Sequence, residues 1–270
     1  MDYNKIVQLV YEARKIVFSK RKLAHVENKN PYDFVTDVDT GISDFMKAEL
    51  YKAFPDVGFM TEEEQNHILQ DKCFILDPID GTTNLIYDYK KSSISLAYAE
   101  NGVVVFGVVL DPFAHELFFA VRGKGAYVYK TDKGIRNLIE TGVENYVRTP
   151  LRASERPLER CLIEFGAGSS HKDQADETFA RAKRVFASCL DLRRICSTAL
   201  AICYIAAGRL DGYFEKVIKP WDYAAASLIL EEAGGKSSDW QGNTLPLHKA
   251  GTIVCANGVI HERLRELVIG

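Results

Sequence analysis

Apolar residues recur at helical spacing over residues 3–19, where Ile6, Val7, Val10, Ala13, Ile16 and Val17 mark one face of an opening amphipathic helix. A second helix follows, capped by Asp39 or Thr40, with Ile42, Phe45, Met46, Leu50, Ala53 and Phe54 as its apolar positions and Pro55 at its end. The pattern then shortens to strands at 74–76, 93–99, 103–110, 116–121 and 126–129. Turns at Asn101-Gly102, Asp111-Pro112 and Gly123-Lys124-Gly125 separate them, which predicts an antiparallel meander. Beyond about residue 150 strands and helices alternate. A strand at 162–165, a helix at 172–187, a short strand at 190–192, an apolar helix at 196–207, a strand at 210–215 and a helix from Trp221 to Ala233 closed by Gly234-Gly235 follow in turn. The expected organisation is an N-terminal α+β half over 1–150 and a smaller α/β half over 151–270, with no internal repeat or long linker.

Composition narrows the class. With 47% hydrophobic and 26% charged residues in 270, the chain reads as an ordinary globular protein. The net charge of -3, with no stretch that concentrates Lys and Arg among aromatics, argues against a nucleic-acid partner. The first residues lack the apolar core of a signal peptide, and nothing approaches the roughly 20 apolar residues of a membrane span. The six cysteines, Cys73, Cys161, Cys189, Cys196, Cys203 and Cys255, are scattered in mostly apolar surroundings. They read as buried thiols of a reducing compartment, and the expected location is cytoplasmic.

Chemistry concentrates in residues 74–84, Phe-Ile-Leu-Asp-Pro-Ile-Asp-Gly-Thr-Thr-Asn. A short apolar strand delivers Asp77 and Asp80 into a turn at its carboxyl end, where ligands bind in α/β sheets. Two acids three apart with no base between them repel unless a cation intervenes, and a hard divalent ion is the candidate. Further acidic islands lie at Asp37/Asp39, Glu62/Glu63/Glu64 and Asp222, each where an element starts or stops. Taken singly, the glutamates read as a solvated loop, and Asp222, Asp37 and Asp39 as helix caps. Taken together, oxygen donors without His or Cys suit Mg²⁺ better than zinc. Gly81-Thr82-Thr83-Asn84 opens a helix whose free N–H groups attract an anion, and Gly81 lets the backbone approach it closely. Acids filled with Mg²⁺ beside such a terminus suit metal-assisted hydrolysis of a phosphate ester, with Thr82 orienting water and Asp39 taking its proton.

These residues resemble the inositol monophosphatase family of Mg²⁺-dependent, lithium-sensitive phosphomonoesterases. Asp77-Pro-Ile-Asp-Gly-Thr-Thr-Asn84 is similar to its first signature, and the run from Trp221-Asp222 to Gly235 to its second. Asp33-Phe-Val-Thr-Asp-Val-Asp39, Glu62-Glu63, Gly123-Lys-Gly-Ala126 and Ala207 to Glu215 fit in the same order, from about residue 5 to 265. The resemblance implies an α/β (α+β) layered αβαβα sandwich of the inositol monophosphatase and fructose-1,6-bisphosphatase type, and a homodimer. It implies two or three Mg²⁺ ions: Glu62, Asp77 and the Ile79 carbonyl on the first, Asp77, Asp80 and Asp222 on the second, and Glu62 with water on a third. Thr82 with Asp39 activates water, the Gly81 and Thr82 amides hold phosphate, and Arg194, Glu215 and Lys29 lie near the rest of the substrate. The family pattern is broken at Thr61, where glycine is usual, and at Leu85, where phenylalanine is usual; no metal ligand is lost.

The substrate implied is a phosphate monoester, inositol 1-phosphate first. Fructose 1,6-bisphosphate, NADP(H), histidinol phosphate and 3′-phosphoadenosine 5′-phosphate are the alternatives within the family. From another class, Gly166-Ala167-Gly168-Ser169-Ser170 with Asp191 further on suggests a dinucleotide-binding module, although His171 takes the third glycine position. Asp39-Thr40-Gly41 suggests an aspartic protease, but the second such motif is missing.

Overall fold

Among the described residues, three apolar clusters separate five layers. The computed structural model describes residues 1–20, 25–30, 33–64, 68–168 and 171–270, the side chains of 28–30 and 33 excepted. Helices α1 (Tyr3–Lys20) and α2 (Asp37–Ala53) form one outer layer, and the hairpin β1 (Val26–Asn30) and β2 (Asp33–Thr36) leads into α2. Next come β3 (Gly58–Thr61), β4 (Lys72–Asp80), helix α3 (Thr82–Ile86), β5 (Ser93–Glu100), β6 (Val103–Asp111), β7 (Glu116–Val121) and β8 (Ala126–Lys130). Their strands make a six-stranded sheet in sequence order, with β3 parallel to β4 and every later pair antiparallel.

The rest of the chain begins with α4 (Arg136–Thr141), β9 (Leu162–Phe165), α5 (Ala175–Phe186), β10 (Asp191–Arg193) and α6 (Thr198–Ala206). It ends with β11 (Gly212–Ile218), α7 (Pro220–Glu232), β12 (Gly235–Ser238), β13 (Gly251–Asn257) and α8 (His261–Ile269). The second sheet has five strands in the order β10-β9-β11-β13-β12.

Side-chain alternation explains the stacking. One face of the six-stranded sheet (Phe74, Leu76, Leu96, Phe106) packs on Ile6, Val10, Ile42 and Met46 of α1 and α2. Its other face (Cys73, Ile75, Ala97, Val109) shares a core with α6, α7 and the Tyr213, Ile253 and Cys255 face of the second sheet. The far face of that sheet (Ile163, Phe165, Phe214, Val254) is closed by Val185 of α5 and Leu264 and Val268 of α8. The result is the αβαβα sandwich. Among the described residues no helix is long and apolar enough to cross a membrane.

Several elements differ from expectation. Helix α2 begins at Asp37, and its cap is Thr36 in place of Asp39 or Thr40. The Thr36 hydroxyl accepts from the Val38 N–H, while Asp39 reaches back to the Thr36 N–H as a reciprocal cap. The first sheet is not purely a meander, because β3 joins it in parallel. Strand β4 continues through Pro78 to Asp80, so both acids lie within the strand, not in a turn after it. Hairpin β1–β2, strands β12 and β13, and helix α8 go beyond the sequence pattern.

Candidate active site

The odd spacing of Asp77 and Asp80 would point them to opposite faces of a regular strand. The register of β4 against β5 prevents this: Asp77 pairs with Ser95 and Asp80 with Ser93, so three steps on one strand match two on the other. That bulge, at Pro78-Ile79, brings both carboxylates to one side. Gly81 then turns the chain with φ 90°, and a Cβ there would lie 2.9 Å from the Lys91 carbonyl.

The cavity at this corner measures about 330 Å³. Glu62, Asp77, Ile79, Asp80, Thr82 and Asp222 line one wall, and Glu164, Gly168, Arg194, Thr198, Tyr213 and Glu215 another. Asp222 enters from the first turn of α7, where its Oδ2 also accepts from the Lys219 N–H at 2.8 Å. Asp39 lies behind Thr82, whose hydroxyl is 3.0 Å from Asp39 Oδ1 and 3.1 Å from the Ile79 carbonyl. With one proton, that hydroxyl donates to one of them at a time. Asp39 Oδ2 is held by the Thr36 N–H and hydroxyl.

Burial and mutual repulsion govern the electrostatics. Burial pushes Asp77 well above the carboxylate range, with Glu62, Asp80, Asp222 and Asp39 adding to it. Asp222 is raised well above the usual value by burial and then by Glu62. Asp80 is raised by burial and moderated by hydrogen bonds from Ser197, Thr198, Ala199 and Ser93. Burial lifts Asp39 to about 6 against the hydrogen bonds from Thr36 and Thr82.

Among the described residues, Asp77 Oδ1 is buried without a hydrogen-bond partner. An unpaired buried carboxylate oxygen among further acids is unfavourable unless a cation meets it. The donors are all oxygens, so the residues fit Mg²⁺. They do not, among the described residues, close into a cage of three acids, thiols or imidazoles. The fit therefore rests on the shared cavity and the orphaned oxygen.

The second wall was only partly foreseen. Glu215 is raised to about 7 by burial, against a hydrogen bond from the Tyr213 hydroxyl and the nearby Arg194. Arg194 is exposed, its guanidinium 5.3 Å from the centre of the Phe165 ring. Lys29 belongs to β1, but its side chain lies outside the described residues. Glu164, Ser197, Thr198 and Tyr213 were not singled out from the sequence. For Glu164 a signal existed, an acid inside the apolar run Leu-Ile-Glu-Phe. Gly166 has a different reason from dinucleotide binding: a Cβ there would fall 2.1 Å from the Glu215 carboxyl carbon. Ser169 and Ser170 lie outside the described residues. Asp39-Thr40-Gly41 is helical, which removes the protease reading.

The raised values imply a sign for the metal-free protein. Asp39 at about 6, and Glu164 and Glu215 at about 7, hold protons in the fold that an unfolded carboxylate loses near pH 4. The folded state then binds more protons, so these groups lower stability as pH rises from roughly 4 to 7, and add no further change above that. In EDTA, thermal melting is expected to occur at a higher temperature at pH 5 than at pH 7.5. Mg²⁺ should shrink the difference; a higher melting temperature at pH 7.5 in EDTA would contradict this electrostatic account.

Fold and cavity together place the chain among layered α/β phosphomonoesterases. It belongs to the Inositol monophosphatase family, whose profile matches residues 3–269. An inositol-1-monophosphatase of Rhizobium meliloti (strain 1021) is 33% identical, over 98% of this chain and 95% of its own. Nus factor SuhB of Escherichia coli (strain K12) is 36% identical over 79% of this chain and 74% of its own. Among solved structures, a Thermotoga maritima IMPase superposes with a TM-score of 0.83 at 31% identity, covering 100% of this chain and 97% of that one. A solved IMPase/NADP phosphatase complexed with Mg²⁺ and phosphate shares the fold, with a TM-score of 0.81 at 23% identity over 97% of this chain and 92% of that one.

Proposed function

We propose that this chain is a Mg²⁺-dependent phosphatase that hydrolyses inositol 1-phosphate by direct attack of water. The observation that carries the reading is the orphaned Asp77 Oδ1 in an acid-lined cavity beside the Thr82–Asp39 pair. Glu62, Asp77 and the Ile79 carbonyl would hold one ion, and Asp77, Asp80 and Asp222 a second, with Glu62 and water for a third. Bound Mg²⁺ supplies Lewis-acid stabilisation of the phosphoryl oxygens and a lowered pKa for water.

The chain's own groups do the rest. Thr82 Oγ1 accepts a proton from the attacking water as it passes its own to Asp39 Oδ1, and a carboxylate lifted to about 6 is near the range suited to a base at neutral pH. The Gly81 and Thr82 N–H groups orient phosphate. Arg194 and Glu215 face the polyol, whose hydroxyls suit two polar walls better than a second phosphate would suit so many acids.

The same reading takes the protein as a cytoplasmic homodimer with a small-molecule substrate and without a nucleic-acid or membrane partner. The net charge of -3 argues against a nucleic-acid partner, although relatives bear the name Nus factor. A phosphate-release panel over inositol 1-phosphate, fructose 1,6-bisphosphate, NADP, histidinol phosphate and 3′-phosphoadenosine 5′-phosphate tests the substrate. The highest kcat/KM is expected on inositol 1-phosphate and its loss in EDTA; a higher value on the bisphosphate or a nucleotide would overturn the choice.

A further inference from the structure

The turn at 194–199 is gripped from both sides. The Asn84 carboxamide donates to the carbonyls of Ile195 at 2.8 Å and Cys196 at 3.3 Å, and to that of Lys91 at 2.6 Å. From the opposite side, Glu164 Oε1 accepts from the Ile195 N–H at 2.6 Å and the Cys196 N–H at 3.2 Å. Cys196 has φ 60°, a region that non-glycine residues enter at a cost, so the turn depends on outside support. Immediately after it, Thr198 N–H donates to Asp80 Oδ1, and the Ser197 hydroxyl and Ala199 N–H donate to Oδ2.

Glu164 is an unusual residue for its place. It is 1% exposed, in a strand whose neighbours Ile163 and Phe165 are core, and its Oε2 has no partner among the described residues. An apolar side chain would be cheaper there. What an apolar side chain could not do is accept the two amides of a strained turn. Both of the Oε1 hydrogen bonds go to that turn, and none goes to Asp80 itself.

We propose that Glu164 is a positioning residue for Asp80, acting through the 195–199 turn. The inference rests on Asp80 being a metal ligand. With the turn fixed, three donors hold the Asp80 carboxylate in one orientation from the second half of the chain; with it loose, the carboxylate swings and the ligand set loses its geometry. The apolar cluster beneath β9 does not depend on this contact.

Calorimetric titration of Mg²⁺ into substrate-free protein, beside melting in EDTA, tests it. Glu164→Leu removes the acceptor at similar volume, and Glu164→Asp keeps the charge but withdraws it by one methylene. Each is expected to weaken Mg²⁺ binding about tenfold, whereas Glu164→Gln, which keeps an acceptor oxygen, stays within about threefold. Adding Ser197→Ala to Glu164→Asp should cost no more than the larger single loss, because both act on one carboxylate. Unchanged Mg²⁺ affinity in a folded Leu or Asp variant, or additive losses in the double variant, would overturn the inference alone. A wild-type protein that binds no Mg²⁺ would overturn the functional reading and the inference with it.

Discussion

Asp77→Asn is expected to cut phosphate release by on the order of 10³-fold and, in EDTA at pH 7.5, to raise the melting temperature by a few degrees. Both effects come from the same carboxylate. It is buried, one of its oxygens is orphaned, and Glu62, Asp80, Asp222 and Asp39 all disfavour its charge. Without a cation it is a liability to the fold, so an amide of the same shape relieves repulsion. With Mg²⁺ it is the ligand shared by two proposed ions, and several kcal/mol of transition-state stabilisation go with it. Mg²⁺ should therefore raise the melting temperature of the wild type more than that of the variant. A variant that melts lower than wild type in EDTA, or that keeps activity within tenfold, would contradict the assignment.

Thr82→Ala is expected to lower kcat by roughly 10²–10³-fold with Mg²⁺ affinity nearly unchanged. Its hydroxyl connects the cavity to Asp39, a carboxylate that is only 1% exposed. Asp39→Asn should cause a comparable loss. Because the two form one relay, the double variant should lose little more than either single one. Rapid-quench measurement of the chemical step, with Mg²⁺ titration alongside, checks this. A defect confined to metal affinity, or losses that multiply in the double variant, would remove the relay.

Much of this site could be read from residue types alone, and the limits have physical causes. Asp77 and Asp80 stood out because acids interrupt an apolar strand, and Asp222 because an acid follows Trp221 at a helix start. Their meeting in one cavity depends on a bulge defined by the partner strand, Asp80 against Ser93, which no local pattern encodes. Asp39 looked like a cap for α2 and does bond the cap residue, yet its other oxygen faces Thr82, 43 residues away in sequence. The hairpin β1–β2 has no sequence signature because Val-Glu-Asn-Lys-Asn lacks apolar alternation, and β12 has none because Gly-Lys-Ser-Ser is short and polar. Glu164 was visible as an acid among apolar neighbours, but its partners Ile195 and Cys196 are long-range.

The central claim is that carboxylates from β3–β4 and the start of α7 converge on divalent ions. The most direct measurement is an anomalous difference map from crystals grown with Mn²⁺, collected at a wavelength where manganese scatters strongly. The account predicts a peak within coordination distance of Asp77 and at least two of Glu62, Asp80 and Asp222. A well-ordered cavity with no peak at saturating Mn²⁺ would contradict it.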